Sequence, residues 1–300
     1  MTTLEQALKN ASYKVWDELE PIPNGTNYKI FEVREEALTT MAIKELYRSF
    51  CPKIEKAVMI PASEESLNGY DFELVIGSKS KSKYVRLFVQ AKRLYGKKIS
   101  SNYKAIDFSQ TDALLKYSKD NEGLGTYAFY NHLLERDLNL YDHFNSATLF
   151  DKKTMGITIC SAYSVKMLNS KKFHDYHFNG GIRISPKLYS LRHFPSLFYF
   201  HRETKKHMAV PLHELSYFTI EIAEKINQLY RRIKSQRDKL NFFFFFFPPD
   251  LENRFGGSDD LIPVLNQNIE SLVASFRQRT IKENDFYNPK ALIIIDTDNE

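Results

Sequence analysis

Two short runs hold the residue types that hydrolytic chemistry uses: Gly69-Tyr70-Asp71-Phe72-Glu73-Leu74-Val75-Ile76 and Val85-Arg86-Leu87-Phe88-Val89-Gln90-Ala91-Lys92-Arg93. Side chains alternate along a strand, so each run, taken as a strand, divides into two faces. Phe72, Leu74, Ile76, Val85, Leu87, Val89 and Ala91 form one face, and every one is apolar. The other carries Asp71, Glu73, Val75, Arg86, Phe88, Gln90 and Lys92. The first is a core face. The second places two carboxylates two residues apart against an amide and an ammonium with the same spacing, a denser pattern than a solvated strand face with chance ion pairs would show.

Eighteen residues separate Asp71 from Gln90, which permits an antiparallel hairpin with the two opposite each other. The four polar groups then converge. Carboxylate and amide oxygens are hard ligands suited to Mg²⁺, and a neighbouring lysine can orient a water or stabilise charge on a phosphate.

The elements that must position these residues follow from periodicity. Residues 4–19 have the spacing of an amphipathic helix, closed by Pro21, Pro23 and Asn24-Gly25. A second helix is predicted from near Val33 to Phe50, with Pro52 beyond it. Residues 70–76 and 84–91 are the two strands, joined by a polar loop over residues 77–83. A helix over 107–119, strands over 126–130 and 156–160, a long helix over 212–236 and a buried strand over 291–296 complete the pattern. It is that of a mixed α/β protein.

The hairpin resembles the PD-(D/E)XK nuclease superfamily, in which a metal-binding aspartate precedes an acid, one spacer and a lysine. Asp71 matches the aspartate, Lys92 matches the lysine, and Gln90 stands where the acid usually is. Val89-Gln90-Ala91-Lys92-Arg93 is similar to the Gln-x-Lys motif of the Mrr-type branch of restriction endonucleases. That superfamily often places a glutamate on the helix before the hairpin. Glu36 is the first choice for that position, with Glu35 beside it still open. The segment also resembles an uncharacterised bacterial family with Gly-x-Asp-x-Glu, Gln-Ala-Lys-Arg and Tyr-x-Phe-Tyr-Asn motifs.

The resemblance implies a restriction-endonuclease-like αβββαβ core, a mixed central sheet flanked by helices, over residues 1–165. Residues 166–300 would be a C-terminal α/β extension packed on the same unit. It also implies metal-dependent phosphodiester hydrolysis with Mg²⁺, or Mn²⁺, held by Asp71, Glu73 and the Gln90 amide oxygen, and with Lys92 and Glu36 completing the site. DNA is the expected substrate, in restriction or anti-phage defence. The alternatives are a nucleic-acid-binding module that has lost cleavage and an RNA-directed toxin. Replacing an acid by Gln90 removes one negative charge, which Glu73 or the helix glutamate would have to supply.

Composition is ordinary for a globular chain: 300 residues, 43% hydrophobic and 26% charged. Its net charge of +5 hides a local excess, because nine basic and no acidic residues lie between Leu74 and Ile106. Lys79, Lys81, Lys83, Arg93, Lys97 and Lys98 from this stretch are expected to grip a polyanion backbone. Cys51 and Cys160 form no Cys-x-x-Cys pair, and the N-terminus has no secretory pattern, so a reduced cytoplasmic location is expected. The spacing of His174, His177, His201, His207 and His213 disfavours a zinc site. Phe242 to Phe247 is too short for a membrane span. It serves as a buried strand or as a dimer contact, in a homodimer or a larger defence complex.

Overall fold

The computed structural model describes residues 2–24, 27–29, 33–49, 51–60, 69–93, 106–132, 151–167, 177–178, 181–182, 200–201, 206–207, 210–235, 262–282 and 290–298. The chain opens with α1 (Leu4–Glu18), capped by Thr3, whose hydroxyl accepts from Gln6 N–H at 3.2 Å. A small hairpin follows, β1 (Ile22–Asn24) and β2 (Asn27–Lys29), then α2 (Glu35–Arg48), β3 (Ile54–Ile60), β4 (Phe72–Ser78) and β5 (Lys83–Arg93). Next come α3 (Phe108–Asp120), capped by Asp107, and β6 (Leu124–Tyr130). A 3-10 turn (Lys152–Gly156) leads into β7 (Ile157–Ser161) and the short α4 (Ala162–Met167).

Two-residue strands then pair as β8 (His177–Phe178) with β9 (Gly181–Ile182) and β10 (Phe200–His201) with β11 (Lys206–His207). The remaining elements are β12 (Val210–Pro211), α5 (Ile220–Ser235), β13 (Leu265–Asn266), α6 (Ile269–Lys282) and β14 (Lys290–Asp296).

One mixed sheet organises the protein, in the order β12-β7-β6-β5-β4-β14-β3, with β13 pairing beside β5. The elements around the hairpin follow the order α2-β3-β4-β5-α3-β6. Its centre is the antiparallel β4–β5 hairpin, in register from Phe72↔Val89 to Ser78↔Lys83. Asp71, one residue before β4, donates its backbone N–H to Val89 O at 2.8 Å, which continues the alignment toward Gln90. The apolar face packs in the main core with Leu38, Ala42 and Leu46 of α2 and Leu8 and Val15 of α1. The other face is also covered. Phe88 packs with Leu114 and Leu115 of α3, while Val75 and Tyr84 pack with Leu272 and Phe276 of α6.

Four features differ from the sequence expectations. β3 is an additional strand, Ile54-Glu55-Lys56-Ala57-Val58-Met59-Ile60, antiparallel to β14. β14 itself lies between β3 and β4, so the last strand is an inner strand of the sheet that holds the hairpin. The helix over 212–236 is interrupted: Leu212–Tyr217 is a 3-10 turn, Phe218 is extended, and α5 begins at Ile220. Thr219 supplies the reason, since its hydroxyl accepts from Ile222 N–H at 3.4 Å as an N-cap. Finally, the loop over 77–83 shrinks to a turn at Lys79–Ser82, with Ser82 at φ 51° and its N–H on Lys79 O.

The Phe242 to Phe247 run and Lys97, Lys98 and Lys104 lie outside the described residues. Cys51 and Cys160 are buried free thiols. Among the described residues, no helix is long and apolar enough to cross a membrane.

Candidate active site

β5 runs on past the start of β4. Phe72 opens β4 opposite Val89, so Gln90 to Arg93 extend beyond the ladder. Unpaired strand N–H groups in such a position need acceptors, and two carboxylates provide them. Asp71 Oδ2 accepts from Ala91 N–H at 2.6 Å, and Glu35 Oε1, from the first turn of α2, accepts from Arg93 N–H at 2.8 Å. Two acids from different elements are thereby lined up along one strand edge.

Gln90 completes the hold on Asp71. Its amide nitrogen donates to Asp71 Oδ2 at 2.6 Å and lies 3.3 Å from Ala91 O. The amide nitrogen thus serves Asp71 as a donor, a bond that leaves the amide oxygen unengaged. Lys92, next on the same face, is buried, with Nζ 3.4 Å from Gln110 Oε1 of α3. Gly69 lets α3 come this close. It has φ +71°, and a Cβ there would sit 2.6 Å from Gln110 O, so glycine is required on both counts.

Electrostatics follow from this geometry. Burial pushes the Asp71 carboxyl up to about 7, against the lowering effects of the Ala91 N–H and of Lys92, while Glu35 and Glu36 raise it further. Burial also raises Glu35, opposed by Arg93 N–H and Lys92. The helix glutamate that reaches the strand is Glu35; Glu36 is exposed and acts on Asp71 only through its charge.

Glu73 does not join this group. It is fully buried, with Oε1 2.7 Å from Arg86 Nε and Oε2 2.6 Å from Arg279 Nη2 of α6. Both guanidinium carbons lie just under 6 Å from the Phe88 ring centroid, at 5.9 and 5.8 Å. The metal-ligand role expected of Glu73 is thus corrected, because both its oxygens face cations. Sequence spacing placed Glu73 on the right face but carried no sign of Arg279, 206 residues away.

The expected nucleic-acid contacts are also rearranged. Lys79 pairs with Glu55 at 2.9 Å, Lys83 with Glu224 at 2.6 Å, and Lys81 with Glu221. These lysines occupy the opposite end of the hairpin from Asp71, roughly 26 Å away for eight strand residues. Arg93 is buried, with Nη1 donating to Val33 O at 2.7 Å, and is not a surface contact.

A family model described as a family of unknown function (DUF6615) matches residues 4–285. The chain belongs to DUF6615. No curated protein matches it. The DUF6615 match takes in α1 through α6, so Glu35, the hairpin, Gln110 and Arg279 fall within one family unit.

Among the described residues of this DUF6615 chain, no three His, Cys, Asp or Glu side chains form a ready-made metal cage. Mg²⁺ asks for less, since it commonly takes one or two carboxylates and keeps several waters. Asp71 and Glu35 are the two carboxylates on this strand edge that could supply that smaller set. Both bonds to Asp71 fall on Oδ2, and a desolvated carboxylate with a raised pKa favours a cation beside it. Two residues at the site were undervalued in the sequence. Glu35 carried no signal that separates it from Glu36, since Thr39 and Thr40 bond back to the carbonyls of both alike. Gln110 had none beyond its place in a helix.

Proposed function

We propose that the chain is a metal-dependent endonuclease that hydrolyses phosphodiester bonds, with DNA as its substrate, acting in the cytoplasm in restriction or anti-phage defence. One observation supports this reading above the others: Asp71, Gln90, Lys92 and Glu35 meet where β5 outruns β4, within an αβββαβ order like that of restriction endonucleases. The defence role rests on analogy with that fold.

Each residue has a definite part. Asp71 and Glu35 would hold Mg²⁺ or Mn²⁺, which would supply a Lewis acid for the phosphate and lower the pKa of a water. Gln90 and Ala91 N–H fix Asp71 Oδ2, which leaves Oδ1 as the oxygen that would meet the ion. Lys92, steadied by Gln110, orients the attacking water or carries charge on the scissile phosphate.

A second reading, a nucleic-acid-binding module without cleavage, is favoured by the neutral amide at position 90 and by the missing third acid among the described residues. Incubating the full chain with supercoiled plasmid, and separately with RNA, in Mg²⁺ or Mn²⁺ tests both. Metal-dependent nicking or linearisation, abolished in Asp71→Ala and Lys92→Ala, is the expected result. A chain that retards plasmid in a gel without cutting it is a binding module. Degraded RNA with intact plasmid makes it an RNA-directed nuclease. Cutting that survives both substitutions puts the active site elsewhere.

A further inference from the structure

The segment Tyr127-Ala128-Phe129-Tyr130-Asn131 has so far served only to complete the sheet. Tyr127 and Tyr130, three apart on β6, face opposite sides of it, and both are fully buried. A buried phenol requires a hydrogen-bond partner. Tyr130 OH lies 2.6 Å from Thr39 Oγ1 of α2, and Tyr127 OH lies 2.7 Å from Thr111 Oγ1 of α3. Each threonine hydroxyl also donates to the carbonyl one turn back, Thr39 to Glu35 O at 3.0 Å and Thr111 to Asp107 O at 3.1 Å. A hydroxyl has one proton, so in both pairs the tyrosine is the donor to the threonine.

These two relays end beside the site. Thr39 fixes the turn of α2 from which Glu35 reaches Arg93 N–H. Thr111 adjoins Gln110, which holds Lys92 and whose carbonyl abuts Gly69. We propose that Tyr127 and Tyr130 are positioning residues: two phenols of one strand that clamp, from opposite faces of the sheet, the helices delivering Gln110 and Glu35 to the Asp71–Lys92 site. The catalytic consequence rests on the nuclease reading; the clamp itself rests only on the four hydrogen bonds. Site groups must be held within about 0.5 Å of a productive geometry, which a helix able to slide or roll on the sheet would not provide.

The test compares Tyr130→Phe with Tyr127→Phe in the full chain, using hydrogen exchange of the Arg93 amide, Mn²⁺ binding and plasmid cleavage. Losing one buried hydrogen bond corresponds to roughly five- to tenfold in an equilibrium. Tyr130→Phe should therefore speed Arg93 exchange and weaken Mn²⁺ binding by about that factor. Tyr127→Phe should leave both within about twofold and lower turnover instead. Thr39→Val cuts the same link from the helix side, so the test survives a Tyr130→Phe chain that fails to fold. Thr39→Ser, which keeps the hydroxyl, should restore wild-type exchange. Equal Arg93 exchange in the two tyrosine variants, or Thr39→Ser behaving like Thr39→Val, overturns the clamp. A wild-type chain that neither binds Mn²⁺ nor cuts overturns the nuclease reading, and Arg93 exchange then judges the clamp alone.

Discussion

Asp71, just before β4, and Glu73, within it, stand two residues apart, yet their surroundings differ in kind. Glu73 has a guanidinium on each oxygen and almost no water. Asp71 is held by an amide and a backbone N–H, both neutral, and its carboxyl is raised to about 7. A carboxylate whose charge is already matched acts as a structural tie. One that is desolvated and hydrogen-bonded only to neutral donors keeps an appetite for a proton or a metal ion. The strand presents both, and its neighbours decide which becomes chemistry.

The largest expected effect comes from breaking the matched pair. Glu73→Ala leaves Arg86 and Arg279 buried without a counter-charge, which should cost about 3–5 kcal/mol of stability, read by urea unfolding. Asp71→Asn should do the reverse: cleavage falls by at least ~100-fold, the scale expected when a metal site loses a ligand or its partner, while the fold is retained.

The pH dependence sharpens the contrast. The Asp71 carboxyl titrates near 3.8 in an unfolded chain and at about 7 in the folded one. Between those values the folded chain keeps a proton that the unfolded chain has lost, so metal-free stability should fall as pH rises from about 4 to about 7. The full drop is on the order of 4 kcal/mol, and Asp71→Asn should flatten it in urea titrations at several pH values. Saturating Mg²⁺ should pull the Asp71 pKa down, visible by carboxyl-carbon NMR; an unmoved value with Mg²⁺ present would exclude the metal from this carboxylate.

A smaller difference should separate the two helix glutamates. Glu35→Gln is expected to lower cleavage about tenfold and Glu36→Gln less than about twofold, because only Glu35 reaches the strand edge. The smallest effect belongs to the far end of the hairpin. Lys81→Ala removes an exposed pair with Glu221 and should change stability by less than about 1 kcal/mol and cleavage not at all.

Much of the hairpin was legible in the sequence because strand alternation is local. All seven residues read as its apolar face pack in one core, and Gln90 lies against Asp71 as the hairpin spacing allows. Charge counted along the basic stretch ignores partners: Glu55, Glu221 and Glu224 come from distant segments to meet Lys79, Lys81 and Lys83. β3 was missed because a seven-residue strand that mixes Glu55 and Lys56 with apolar residues shows little period of its own. Its place at the sheet edge depends on β14.

By itself, then, the sequence determined which residues of the hairpin could share a face, where α1, α2 and α3 would run, and that Asp71 and Gln90 would meet, since these follow from short-range geometry. Only the tertiary structure decided that Glu73 is neutralised by Arg279, that Glu35 rather than Glu36 caps Arg93, that Gln110 steadies Lys92, and that β14 enters the centre of the sheet. Each of these depends on groups far apart in the chain, where burial and charge act through space and leave no spacing to read.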